Sequence, residues 1–168
     1  SEMCIRDRRN TAIGGNALDA TTTGQDNVAV GNGALGANTT ASNNTAVGSN
    51  CLAGNTTGTA NVAIGHDVME TSNADYNTGV GHEAMKTLSG GEKNTGVGVQ
   101  ALYALITAVR CTALGHLAGD SITTGNDNTC IGFEAGHSIT TGVDNLCVGT
   151  EAGQDISTGG NNVCLGHD

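Results

Sequence analysis

The sequence predicts an all-β chain, a parallel β-solenoid or β-roll in which one 17-residue repeat makes one coil and about ten repeats are present. Three observations predict it. A pentad, Asn-x-small-aliphatic-Gly, recurs in ten copies with glycines at Gly14, Gly31, Gly48, Gly65, Gly81, Gly98, Gly115, Gly132, Gly149 and Gly166. Each pentad carries a short alternating run rich in β-branched side chains, the pattern of a brief strand. In the second half of each repeat, a large aliphatic residue is exchanged between two fixed positions, as a shared interior requires.

Eight of the nine glycine intervals are 17 residues, and Gly65 to Gly81 is 16, one residue having been lost near Asp75 and Tyr76. A fixed period of this kind marks a stacked repeat architecture. The pattern runs from Asn10 to the end, so residues 9–168 read as a single repetitive domain. With coils stacked about 4.8 Å apart, nine complete coils would form a rod on the order of 45 Å long.

Counting from the Asn as position 1, each element follows in order. Position 1 is Asn in nine copies of ten, with Cys111 as the departure. Stacked coils place these amides over one another, where they can hydrogen-bond from coil to coil. Positions 2 to 4 form the strand, with Thr, Val or Leu, then Ala, Gly or Cys, then always Val, Ile or Leu. Positions 2 and 4 share one face and position 3 takes the other. The unbroken aliphatic position 4 is expected to be buried, as one of two walls filling a thin core. The small position 3 suits close packing, against the opposite sheet or a neighbouring chain. Gly at position 5 turns the corner, since it takes positive φ without steric cost.

Position 9 runs Leu18, Leu35, Leu52, Met69, Met85, Leu102, then Gly119, Gly136, Gly153. Position 12 reverses this, with Thr21, Asn38, Asn55 and Ser72 followed by Leu88, Leu105, Ile122, Ile139 and Ile156. Each repeat thus keeps at least one large aliphatic residue in its second half. Positions 13 and 14 are often Thr-Thr before Gly, at 22–24, 56–58, 123–125 and 140–142, and stack as a threonine ladder. Helical repeats are longer and need a sustained 3.6-residue period, and Gly, Thr and Asn are poor helix residues. Disorder fits the 2% aromatic content, but not an invariant aliphatic position.

Residues 1–8 stand outside the pattern. "SEMCIRDR" resembles the translation of a transposon-end sequencing adaptor and is excluded from fold and targeting arguments. With the repeat also stopping just after a pentad glycine, the chain reads as a metagenomic fragment of a longer repetitive protein. Without residues 1–8 there remain 14 acidic and 4 basic side chains, a balance of −10. The acids are scattered along the repeats, which describes a solvated surface and argues against binding a phosphate backbone. No nucleic-acid partner and no membrane insertion are expected of residues 9–168.

Of six cysteines, Cys4 lies in the adaptor segment, while Cys130, Cys147 and Cys164 take position 3 in successive repeats. Cys51 takes position 8 and Cys111 position 1. Zinc spacing such as C-x₂-C is absent, so these read as small stacked thiols. Five such thiols sit more easily in a particle assembled in a reducing cytoplasm than in a secreted, oxidised protein.

His66, His82, His116 and His167 all follow a turn glycine, at position 6, and are followed by Asp67, Glu83, Leu117 and Asp168. His66-Asp67 and His82-Glu83 fall on consecutive coils, a ligand set suited to a divalent metal. Other repeats carry Asn16, Gly33, Asn50 or Gln100 beside that edge, so no metal ligand is assigned. No Ser-His-Asp set, phosphate loop or buried carboxylate pair is present, so no catalytic or cofactor-binding residue is assigned and no enzyme activity is expected. Hexapeptide-repeat transferases would need further aliphatics at positions 10 and 16. An ice-binding solenoid would need a flat T-x-T array, and the adjacent Thr pair alternates faces.

"NTAVG", "NVAIG" and "NTGVG", each with a small residue following, resemble the repeats of YadA-type trimeric autotransporter adhesin heads. The longer unit, with "AL" and "NTTG" between copies, is similar to repeat regions of bacteriophage tail fibres. The resemblance covers residues 10–168. It implies a left-handed roll, a homotrimer, a host-surface receptor that could be a glycan, and a place on a virion tail or bacterial cell surface. The implied function is a structural spacer and attachment segment, with the thiols favouring the phage setting. An ice-binding or hexapeptide-transferase-like solenoid is the alternative.

Overall fold

The structure, a computed structural model, describes residues 8–167; the adaptor-like residues 1–7 and Asp168 lie outside the described residues. Ten three-residue strands, from β1 (Thr11–Ile13) to β10 (Val163–Leu165), pair in sequence order into one parallel sheet. Each strand matches its neighbour residue for residue at the predicted positions, as in Thr45↔Val62, Ala46↔Ala63 and Val47↔Ile64. The shortened repeat keeps this register, with Val62↔Thr78 and Ile64↔Val80, so its deletion is absorbed outside the strand. The chain is therefore a β-solenoid of about nine turns, and no helix occurs among the described residues.

The interior is not built as the aliphatic position 4 suggested. Position 3 faces inward: Ala29, Ala46, Ala63, Ala113, Cys130 and Cys147 are all fully buried. Position 4 faces out, with Ile13 58% and Leu114 49% exposed, and no residue at positions 2 or 4 is buried. The expectation of a core wall made by position 4 is thus corrected. Parity explains it. Asn at position 1 is buried in the ladder, and strand side chains alternate, so position 3 follows it inward and positions 2 and 4 must point away.

The opposite wall is the turn-rich half of the repeat. Leu35, Leu52, Met69, Met85 and Leu102 from position 9 are fully buried, as are Leu88, Leu105, Ile122 and Ile139 from position 12. The exchange between the two positions has a backbone cause. Position 9 is left-handed in every complete coil: Leu18, Leu35, Leu52, Met69, Met85 and Leu102 have φ between 47° and 53°. That conformation costs a non-glycine residue roughly 1–2 kcal/mol. Gly119, Gly136 and Gly153 relieve the strain, at φ 58°, 64° and 74°, but vacate the core. An isoleucine at position 12 then fills it.

Position 3 completes the volume balance. Ala stands opposite coils with one large aliphatic, whereas Gly79 and Gly96 stand in the two coils that carry both, Met85 with Leu88 and Leu102 with Leu105. Cys130 and Cys147 stand opposite Gly136 and Gly153. A Cβ on Gly79 would lie 2.6 Å from Val68 Cγ1 and 3.3 Å from both Met69 Cε and Met85 Cε. Gly79→Ala is therefore expected to cost about 1–3 kcal/mol by overpacking. Adding Val68→Ala, the residue most repeats carry at position 8, should recover most of that loss in urea unfolding.

Two polar ladders tie coil to coil. The Asn side-chain oxygen accepts the backbone N–H of the Asn one coil on, as from Asn27 to Asn10 at 2.9 Å and from Asn61 to Asn44 at 2.9 Å. Its amide nitrogen donates to the position-15 carbonyl closing its own coil, as from Asn44 to Gly58 at 2.9 Å. The threonine ladder is also present: Thr22, Thr39, Thr123 and Thr140 hydroxyls donate to the carbonyl of the residue one coil on, at 3.0–3.3 Å.

Candidate functional site

Two surfaces gather residues that a function could use, the outer strand face and the histidine edge. The outer face comprises positions 2 and 4 of ten consecutive strands. Position 2 supplies Thr, Val or Leu and position 4 supplies Val, Ile or Leu, without one charged residue in either. Parallel pairing in strict register makes each position a straight column, with rungs about 4.8 Å apart and the two columns roughly 6.7 Å apart. Ile64 remains 38% exposed in the middle of the rod. The face is thus an unbroken aliphatic column at position 4 beside a column that is Thr in six of ten strands and aliphatic in the others.

This face is what reading the sequence missed. The inward parity of the strand follows from the burial of Asn at position 1, which the residue type alone does not announce.

The histidine edge is where position 6 predicts it. His66 and His82 stack one coil apart, ring centroids 5.5 Å apart and planes 11° from parallel. Their neighbours face the same edge, with His66 Nδ1 3.4 Å from Asp67 and His82 Nδ1 3.8 Å from Glu83. Lys86 occupies the centre of the cluster, its ammonium 3.2 Å from Asp67 and 2.6 Å from Glu83. Asn50 and Gln100 donate to the same two carboxylates, at 3.1 and 2.8 Å.

Burial resists ionisation of Asp67, but the hydrogen bonds from Asn50 and Lys86 outweigh it and hold its carboxyl below the usual range. Glu83 is held below its usual range by Lys86, then Gln100, and Lys86 is raised by Glu83 and Asp67 in turn. The two carboxylates thus already share one ammonium. Stacked imidazoles also aim their lone pairs side by side and not at one point.

Among the described residues no three His, Cys, Asp or Glu side chains converge on a common metal position. Further along the edge, His116 stacks on Phe133 at 5.4 Å, and Leu117 is the neighbour that follows it. His137 at position 10, which the sequence did not single out, bonds Asp120 one coil back at 2.7 Å. Asp168, expected beside His167, lies outside the described residues. Cys51, Cys111, Cys130, Cys147 and Cys164 are all free thiols. No helix among the described residues is long and apolar enough to cross a membrane.

Comparison with known proteins returns no matching family model, no matching curated protein and no matching solved structure.

Proposed function

We propose that this chain is a non-enzymatic structural segment of a fibrous attachment protein, of the phage tail-fibre or bacterial surface-adhesin kind, whose copies associate through the outer strand face. The observation that carries the reading is the uncharged face of positions 2 and 4, with an unbroken aliphatic column at position 4 and Thr or an aliphatic at position 2, in which no residue is buried by the chain itself. A face with a rung of about 4.8 Å is best complemented by a surface with the same rung, and a second copy offers it. Burying such a face desolvates no charge, and apolar area contributes roughly 25 cal/mol per Å² removed from water. Three copies around a common axis is the arrangement that the adhesin-head resemblance implies.

In this reading the rod is a spacer on a virion tail or cell surface. It holds a receptor-contacting tip away from the particle and adds weak contacts along its length by multivalency. Free thiols in five coils favour assembly in a reducing cytoplasm, hence the phage setting.

Sedimentation equilibrium of residues 9–168 should give a trimer. Val47→Glu combined with Val80→Glu should give a monomer whose coils stay folded by circular dichroism, because surface substitutions usually change stability by only about 0.5 kcal/mol. A wild-type monomer at all concentrations would overturn the proposal.

One observation favours a second reading. Thr45 and Val47, Thr78 and Val80, and Thr95 and Val97 form an outward Thr-x-Val array, closer to a flat ice-binding lattice than the Thr-Thr pair. Thermal hysteresis by the monomer, lost in the double Glu variant, would establish it, and its absence would remove it.

A further inference from the structure

Among the described residues, the cysteines of position 3 form a thiol cluster that the spacer role leaves unused. Register pairing sets Cys130 opposite Cys147 and Cys147 opposite Cys164 on consecutive strands. All three side chains point inward, Cys130 and Cys147 being fully buried and Cys164 half-buried. Space is kept for the sulfurs. A Cβ on Gly136 would lie 2.5 Å from Cys130 Sγ, and one on Gly153 would lie 2.5 Å from Cys147 Sγ. The first six coils put Leu or Met at that position and Ala or Gly across from it, the seventh puts Gly119 across from Ala113, and the next two set a thiol across from glycine.

A column offers ligands in a line. A tetrahedral ion finds no cage here, since no three ligating groups converge among the described residues. A linear ion needs only two sulfurs facing each other across it. With metal–sulfur bonds of about 2.3 Å such an ion spans roughly 4.6 Å, close to the strand spacing of about 4.8 Å. The surroundings select the charge. Ile139 and the alanines of the core leave no counter-ion beside the sulfurs, and a net charge there would be costly. A divalent ion on two thiolates is neutral. Soft thiolates in turn select soft cations.

We infer that Cys130 and Cys147 form a two-coordinate site for a thiophilic divalent cation of the mercuric class, bridging adjacent coils along the rod axis. Binding forms two S–metal bonds, breaks two S–H bonds and releases two protons to solvent, with no change of oxidation state.

The test uses the full chain with Cys4→Ser, Cys51→Ala and Cys111→Asn, which removes the isolated thiols and leaves the column. Mercuric chloride is titrated in the presence of a competing monothiol. One ion per chain, a sulfur-to-metal charge-transfer band and two protons released per ion are expected. Cys147→Ala, the residue that other repeats carry at this position, should weaken binding by about 100-fold or more, because the bridging second ligand is lost. Cys164→Ala should leave it unchanged. X-ray absorption should count two sulfurs at the metal. Binding that survives Cys147→Ala undiminished, binding lost in Cys164→Ala, or no ion retained against the monothiol would each overturn the site. Circular dichroism of every variant separates loss of the site from loss of the fold, and the outcome is independent of whether the chain trimerises.

Discussion

Gly48→Ala should break the rod at its third coil. The residue sits at φ 127°, and a Cβ there would lie 1.5 Å from the carbonyl oxygen of Gly65 and 2.7 Å from its carbon. Neither contact can be relieved by a rotamer change, because both partners are backbone. Moving Gly65 displaces its N–H, which donates to Val47 at 2.9 Å and holds the adjoining strands together. Backbone strain of this type and a direct clash together place the loss at about 4 kcal/mol or more, at the extreme of single substitutions.

In a stack, stability is close to a sum of coil and nearest-neighbour terms. The damage should therefore show first as lost hydrogen-exchange protection in coils three and four. Gly90→Ala is the control, since its Cβ would meet only Thr107 Cγ2, at 3.9 Å, and it should change stability by no more than about 0.5 kcal/mol. If Gly48→Ala melts within a degree of the parent, the corner is not the constraint that the geometry describes. The same close approach recurs at Gly14, Gly31, Gly65, Gly81, Gly98, Gly115, Gly132 and Gly149, each within 2.6 Å of the next coil's glycine carbonyl oxygen. That is why position 5 admits no other residue in the nine copies that a further coil follows.

Much of this architecture was legible from residue types. The period gave the coil, the alternating triplet gave the strand, and the glycine gave the corner. The exchange of Leu and Met for Ile between positions 9 and 12 pointed to a shared interior. The direction of the strand was not legible from the triplet alone. Alternation separates two faces but does not say which is wet, and aliphatic residues are expected inside. Here the interior is so thin that Leu52 or Met69 from the far wall leaves room only for Ala or Gly on the strand, so the large β-branched residues are turned outward. In the proposed association a second copy covers them, and one chain's pattern records that only as an invariance. The histidine edge was readable because its members recur at one position. Lys86 was not, because its bonds run to Asp67 in the preceding coil as well as to Glu83 in its own.

The asparagine ladder supplies the second large effect and its own natural counterpart. Asn44 is fully buried. Its side-chain oxygen accepts the Asn61 backbone N–H at 2.9 Å and the Asn61 amide at 3.2 Å, while its amide donates to Gly58 at 2.9 Å. Asn44→Ala removes all three bonds and leaves the Asn61 backbone N–H without its acceptor, while the Gly58 carbonyl keeps the Asn55 amide at 2.9 Å. A buried group left unpaired costs about 1–3 kcal/mol, so a loss of about 2 kcal/mol in urea unfolding is expected.

Cys111 shows the same position already altered. Its backbone N–H still donates to Asn94 at 2.9 Å, and its thiol lies 3.2 Å from the Gly125 carbonyl. A thiol has no amide oxygen to offer the next coil, so the chain of side-chain acceptors that resumes from Asn128 to Asn145 is interrupted here. Asn fits this slot elsewhere, with Asn94 and Asn128 reaching their own closing carbonyls at 2.9 and 2.7 Å. Cys111→Asn should therefore restore the link to Asn128 and stabilise the chain by about 1 kcal/mol. A substitution that destabilises at Asn44 and one that stabilises at Cys111 test the ladder from opposite directions. If Cys111→Asn gained nothing while Asn44→Ala cost its full amount, the ladder would act through each coil's own closure and not through the coil above.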